Sequence, residues 1–132
     1  MKQITGINHV GIRVRNLETA RAFYEQLGFE FIIGPIGPEP VAVMLHPSGI
    51  NINFILNASS NSSDNNILMD EPEKHTGITH IALEINDIEA VQQQLDALGI
   101  KITETVKLPD GTFFFFVRDP DGNVIELHKP VK

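Results

Sequence analysis

The chain has no cysteine, which excludes disulfides, thiolate metal ligands and a cysteine nucleophile. It has no run of about 18 apolar residues, so no helical membrane span is expected. The opening MKQITGINHV lacks the apolar stretch and cleavage site of a signal peptide. Without an export signal or disulfides, the expected location is the cytoplasm. Basic residues are the minority: the formal net charge is −7, and no basic patch is interleaved with aromatics. That excess disfavours nucleic acid or an anionic membrane as a partner and leaves a small molecule as the expected ligand.

What is present is a repeat. INHVGIRVRNLETARAFYEQLGFEF (Ile7–Phe31) aligns without a gap to ITHIALEINDIEAVQQQLDALGIKI (Ile78–Ile102), and each copy has a histidine at its third position, His9 and His80. A repeat of this length sets the architecture before any local reading does. Ile4–Val14 alternates as a strand, Asn16 caps a helix, and Leu17, Ala20, Phe23, Tyr24 and Leu27 share one helical face that Gly28 ends. Phe29–Ile33 is a strand, Gly34–Pro40 a turn or lip, and Val41–His46 and Ile50–Leu56 are strands joined by Pro47-Ser48-Gly49. The second copy follows the same plan. Gly77–Ile85 is a strand, and Asp87 caps a helix carrying Ile88, Val91, Leu95 and Leu98, ended by Gly99. Ile100–Val106, Thr112–Arg118 and Asn123–His128 are strands, the last two joined at Pro120-Asp121-Gly122. The expected class is α+β, with two pseudo-symmetric βαβββ modules over residues 1–58 and 77–132. Between them, residues 59–76 read as a linker or lid; NASSNSSDNN (Asn57–Asn66) has no apolar period.

The repeat extends to the last strands, where Pro47-Ser48-Gly49 matches Pro120-Asp121-Gly122 and thereby pairs Asn53 with Glu126. Pseudo-symmetric packing then brings four positions toward one axis: His9, His80, Asn53 and Glu126. Two imidazoles and a carboxylate make a facial triad for a divalent ion, with open positions for water or substrate. A strand is a suitable mount because its alternation fixes side-chain direction. Asn53 offers only a neutral amide oxygen, a weak ligand for a divalent ion, and is expected to stand behind the ligands or to contact substrate. His46 and His75, beside turns, read as solvated. His128 shares a strand face with Glu126, two residues on, but the favoured reading gives it no part in holding that carboxylate.

With NHVGIRV, LETARAFYEQLGF, THIAL and FVRDPDGNVIEL in place, the chain resembles the vicinal oxygen chelate superfamily over nearly its whole length. That superfamily includes glyoxalase I, extradiol dioxygenases, methylmalonyl-CoA epimerase, fosfomycin-resistance enzymes and bleomycin-binding proteins. The resemblance implies paired βαβββ modules whose curled mixed sheet encloses one divalent metal ion (Ni, Zn, Mn or Fe). The implied ligands are His9, His80 and Glu126. Similarity to glyoxalase I extends to Arg13, four residues after His9, and to Asn57, four after Asn53; both are candidates to bind substrate. The ligand Glu of that family is replaced by Asn53.

The activity this implies is glyoxalase-type lyase or isomerase chemistry on a substrate chelated through adjacent oxygens. The ion serves as Lewis acid and Glu126 moves the proton. One alternative is an extradiol ring-cleaving dioxygenase holding Fe(II), but Phe116 stands where such enzymes have a Tyr. Another is a module that binds an antibiotic or toxin without turnover. DGTFFFFV lacks polar groups to hold a phosphonate. The run Phe113–Phe116 puts aromatics on both faces of a strand; Phe113 and Phe115 are assigned to an apolar pocket on the Glu126 face, the plainer reading being core plus a dimer contact. Exposed sheet edges suggest a homodimer.

Overall fold

The computed structural model describes residues 1–131, in two compact units, Met1–Ser63 and Asp64–Lys132. In the first, β1 (Val10–Arg13), α1 (Leu17–Gln26), β2 (Glu30–Ile36), β3 (Val41–Leu45) and β4 (Asn51–Ile55) build a four-stranded mixed sheet of order β1-β4-β3-β2. In the second, β5 (His80–Glu84), α2 (Ile88–Ala97), β6 (Glu104–Lys107), β7 (Phe113–Arg118) and β8 (Val124–Lys129) build a sheet of order β5-β8-β7-β6. Each unit is a βαβββ module. In each the first strand runs parallel to the last, and the remaining pairs are antiparallel. No described helix is long and apolar enough to cross a membrane.

The helices start where capping chemistry dictates. The Asn16 side chain accepts from the Thr19 amide and the Asp87 side chain from the Ala90 amide, both at 3.0 Å, satisfying donors that a first turn leaves open. In the first unit α1 lays Ala20, Phe23 and Tyr24 onto one sheet face, where the Tyr24 ring meets Phe23, Phe29 and Phe54. In the second, α2 buries Leu95, and the sheet beneath contributes Phe115, Val117, Ile125 and Leu127.

Strand ends differ from the sequence expectation because partners, not propensity, set them. Ile4–Val14 shortens to Val10–Arg13, since the parallel ladder to β4 begins at Val10 opposite Ile52. His9 therefore stands one residue ahead of the strand. Gly77–Ile85 contracts to a strand starting at His80, opposite Val124, and Ile100–Val106 moves to Glu104–Lys107, opposite β7. The expected Gly34–Pro40 turn instead begins after Ile36. β2 carries the cis Gly34–Pro35 bond through two register shifts, and as an edge strand it can accept a proline without losing a ladder bond. Gly34 is required there, because a Cβ would lie 2.5 Å from the Ala42 Cα.

Matched turns set the register of the last two strands in each unit. Asp119 Oδ1 accepts from the Asp121 and Asn123 amides at 2.9 Å, and Oδ2 accepts from the Asn123 side chain. His46 occupies the matching place: its Nδ1 accepts from the Ser48 amide at 3.1 Å, and its ring packs edge-on against Phe29. His46 is thus a turn organiser rather than a solvated side chain. Residues 64–70 are tied to the second sheet. Asn66 Nδ2 donates to the Gly122 carbonyl, and a Cβ on Gly122 would collide with the Asp64 carbonyl oxygen.

Candidate metal-binding site

The pleat of β8 sends Val124, Glu126 and His128 to the sheet face away from Ile125 and Leu127. Cross-strand register adds Phe116 opposite Glu126 and Phe114 opposite His128 on one side, and Ala82 opposite Glu126 and His80 opposite Val124 on the other. Glu126 is thereby 8% exposed, with His80 on its diagonal. Its two oxygens are divided between two imidazoles. Oε1 lies 3.2 Å from His80 Nε2, and Oε2 accepts from His128 Nδ1 at 2.7 Å. The rings are themselves held: His128 stacks on Phe114 with centroids 5.3 Å apart and an interplanar angle of 8°, while His80 meets Phe116 edge-on at 5.7 Å. On the far side of His80, Nδ1 lies 2.9 Å from the Thr79 hydroxyl.

The donor chemistry of His80 and Glu126 fits a divalent ion. Two N/O ligands at roughly 2.0–2.2 Å from one metal and at right angles are about 3 Å apart, close to the separation seen here. The Thr79 hydroxyl can donate to His80 Nδ1 or accept from it, so either tautomer of the ring is supported. Among the described residues, no group of three or more His, Cys, Asp or Glu side chains is arranged to hold a metal ion. His9 belongs to the first unit, and His80 and Glu126 to the second.

On the first sheet, His9 is exposed and its Nδ1 lies 2.8 Å from Asn8 Oδ1. An amide oxygen only accepts, so in this contact Nδ1 donates, and a neutral His9 ring so held would offer Nε2 as its lone-pair nitrogen. Asn53 projects from β4 between Gly11 and Val43. Its Oδ1, like that of Asn51, is buried without a hydrogen-bond partner. Each of these oxygens is an unmet acceptor, suited to a donor or a cation. Arg13 Nε donates to Asn57 Oδ1 at 2.9 Å, Asn57 Nδ2 donates to Glu39 Oε1 at 2.9 Å, and Arg13 Nη2 lies 4.0 Å from that same Glu39 oxygen. The Arg13 charge is thus matched by a carboxylate of this chain.

The aromatic run required a correction. Phe115 is fully buried and Phe113 packs near it at 6.4 Å, on the face opposite Glu126. The pair on the Glu126 face is Phe114 and Phe116, because register places Phe116 directly across from Glu126. The sequence reading also passed over Asn8 and Thr79. The signal for them was available: each immediately precedes a repeated histidine.

Electrostatics elsewhere on the second unit centre on one pair. Arg118 Nη1 and Nη2 donate to Asp70 Oδ2 and Oδ1 at 2.8 and 2.7 Å. That fork, helped by the Asn66 amide, lowers the Asp70 carboxyl to about 2 and raises Arg118. The Thr112 amide and hydroxyl lower Asp110.

The chain is 26% identical to the uncharacterized protein YwbC of Bacillus subtilis (strain 168) over 127 residues, 92% of this chain and 94% of that protein. It resembles the crystal structure of the glyoxalase family protein from Enterococcus faecalis at 26% identity and a TM-score of 0.76, over 93% of this chain and 96% of that one. It shares its fold with a mutant of the fosfomycin resistance protein FosX from Listeria monocytogenes, complexed with Mn(II) and 1S,2S-dihydroxypropylphosphonic acid. That match has a TM-score of 0.73 and 19% identity, over 98% of this chain and 95% of that one. The model of the Glyoxalase/Bleomycin resistance protein/Dioxygenase superfamily matches residues 6–127, and with the paired βαβββ modules this establishes that the chain belongs to that superfamily.

Proposed function

We propose that this protein is a divalent-metal-dependent enzyme of the glyoxalase type, acting on a small substrate through two adjacent oxygens, with His9, His80 and Glu126 holding the ion. The observation that carries the reading is the buried Glu126 carboxylate, with Oε1 3.2 Å from His80 Nε2. Support also comes from His9, the matched histidine of the repeat, whose exposed ring is held at Nδ1 by the Asn8 side chain and so has Nε2 free of that contact. A divalent ion held by these residues would supply Lewis acidity toward the substrate oxygens.

The chain's own groups do the rest. The Glu126 carboxylate, at the ion's place, accepts or returns the substrate proton, its position held from both sides by imidazoles. Phe114 and Phe116 give the same face an apolar wall that keeps water from the carboxylate. Asn51 and Asn53 offer amide oxygens to substrate hydroxyls, and Arg13 with Asn57 orients a substrate carboxylate by exchanging it for Glu39. A homodimer belongs to the same proposal. Ile7 and Ile78, at matched positions of the repeat, are 87% and 86% exposed, each an apolar side chain of the kind that association covers. Light scattering at micromolar concentration tests that part.

The deciding experiment is metal analysis of protein purified without chelator, followed by an activity screen with the metal found. Stoichiometric metal in the wild type, lost in His80→Ala, is expected. Metal-free wild type, or unchanged binding by His80→Ala, overturns the proposal. Oxygen uptake with catechols after Fe(II) loading would favour the dioxygenase reading instead, and tight ligand binding without turnover a sequestering module.

A further inference from the structure

We infer that His128 is a positioning residue for Glu126: its Nδ1–H fixes the carboxylate so that a single oxygen, Oε1, is presented beside His80 for the ion. The inference rests on the metal reading above. Three observations carry it.

The first is the bond itself. At 2.7 Å, His128 Nδ1 to Glu126 Oε2 is a short charge-assisted contact, shorter than the 3.2 Å between Oε1 and His80. A hydrogen bond at one oxygen uses one of its lone pairs and fixes the carboxylate plane, which favours one-oxygen coordination through the other oxygen and sets the direction of its lone pairs. The second is that His128 is itself immobilised. Its ring lies parallel to Phe114, 5.3 Å between centroids, and Phe114 is its direct cross-strand partner. The support therefore runs from the sheet through an aromatic stack to the imidazole and then to the carboxylate.

The third is the other half of the molecule. The cross-strand pair Val41 and Ile55 on the first sheet holds the place of Phe114 and His128 on the second. Neither the ring nor the donor is duplicated there, and the matched acidic position is the neutral Asn53. The stack, the donor and the carboxylate are present together on one sheet and absent together from the other. That is the pattern expected if they act as one unit rather than as separate packing choices.

The test uses Mn(II) and Co(II) binding to the full-length protein by calorimetry, with the Co(II) visible spectrum as a second readout. His128→Phe keeps a ring to stack on Phe114 and removes the donor; His128→Asn keeps a donor near the Nδ1 position and removes the ring. Metal affinity in His128→Phe is expected to fall by about 10–100-fold with a shifted Co(II) spectrum, and His128→Asn is expected to recover most of both. Circular dichroism confirms that each variant is folded. If the wild type binds metal and His128→Phe binds it as tightly with the same spectrum, the inference is wrong and the metal reading stands. Equal losses in both variants, with no recovery by the donor, would also overturn it, leaving only a packing role. If the wild type takes up neither ion, the metal reading falls and takes this inference with it.

Discussion

At matched places on the two four-stranded sheets, the first unit carries Asn53, Ile55, Val41 and Val43 where the second carries Glu126, His128, Phe114 and Phe116. The opposite faces differ far less in kind. Ala42 lies across from Phe54 on the first sheet, and Phe115 across from Leu127 on the second, so each pair fills its core with one large ring. The turns match as well, with His46 and Asp119 each gathering amides two residues on. What the contrast teaches is that packing constrains the helix-covered face of both modules alike. The open face is free to diverge, and the second module alone concentrates carboxylate, imidazole and aromatic groups on it.

The sharpest break would be to remove charge from one side or the other. On the proposed metal reading, Glu126→Gln is expected to lower metal affinity by at least about 100-fold, because the proposed anionic ligand and its paired orientation go together. Asn53→Ala is expected to change affinity by far less. Calorimetry with Mn(II) on both variants checks this. A greater loss in Asn53→Ala would place the ion's chief ligand on the first sheet instead.

Next in size are the two faces of β7. Phe115→Ala removes a fully buried ring and is expected to cost about 3–5 kcal/mol. Phe116→Ala, on the half-buried Glu126 face, is expected to cost less than half as much. Urea denaturation of both variants decides it; equal costs would mean that the faces are not distinguished as the register indicates.

That pair also shows what the sequence could and could not carry. The repeat and the helix caps Asn16 and Asp87 were legible because each is a local pattern or a spacing. Strand ends were not, since Val10 and His80 begin their strands only by pairing with β4 and β8. The phase of the Phe run was not legible either. Four identical residues give alternation nothing to read, and only the register of Phe116 against Glu126 fixes which two share its face. His46 was readable in principle, since the same spacing that pairs Asn53 with Glu126 also pairs His46 with Asp119.

A smaller effect probes the neutral half. Asn53→Asp places a carboxylate where the first sheet offers Val43 and Gly11 as neighbours and no counterpart of His128. It is expected to destabilise by about 1–3 kcal/mol at neutral pH, and less as pH falls and the group protonates. Urea titrations at pH 7 and pH 4 compare the two conditions. An unchanged midpoint would show that the first face tolerates charge as readily as the second.

The tether of residues 64–70 belongs to the second unit, because Leu45 holds on the first sheet the place that Arg118 holds on the second. Asp70 titrates at about 2 in the folded protein against an ordinary 3.8. Its contribution is therefore fully present above the ordinary value and is lost as pH falls through the folded one. Hydrogen exchange in residues 64–70 is expected to accelerate, relative to the sheet, between pH 4 and pH 2. Asp70→Asn should show the faster exchange already at neutral pH. Protection that persists in Asp70→Asn would assign the tether to Asn66 and Gly122 instead.

The smallest difference lies at the helix starts, where the modules are closest to interchangeable. Asn16 and Asp87 accept the same bond from the third residue onward at the same 3.0 Å, and each first turn holds one glutamate, Glu18 or Glu89. Substituting either cap by alanine is expected to cost about 1 kcal/mol. The residual difference is charge: Asp87 is anionic at the positive end of α2, and Asn16 is neutral at that of α1. Asp87→Asn should therefore destabilise and Asn16→Asp stabilise, each by about 0.3–1 kcal/mol in low salt. Both shifts should collapse in 1 M salt, where screening acts over about 3 Å. Thermal melts of the two variants at low and high salt measure the pair. Salt-independent shifts would mean that cap geometry, not charge, distinguishes the helices, and would remove this last electrostatic difference between the modules.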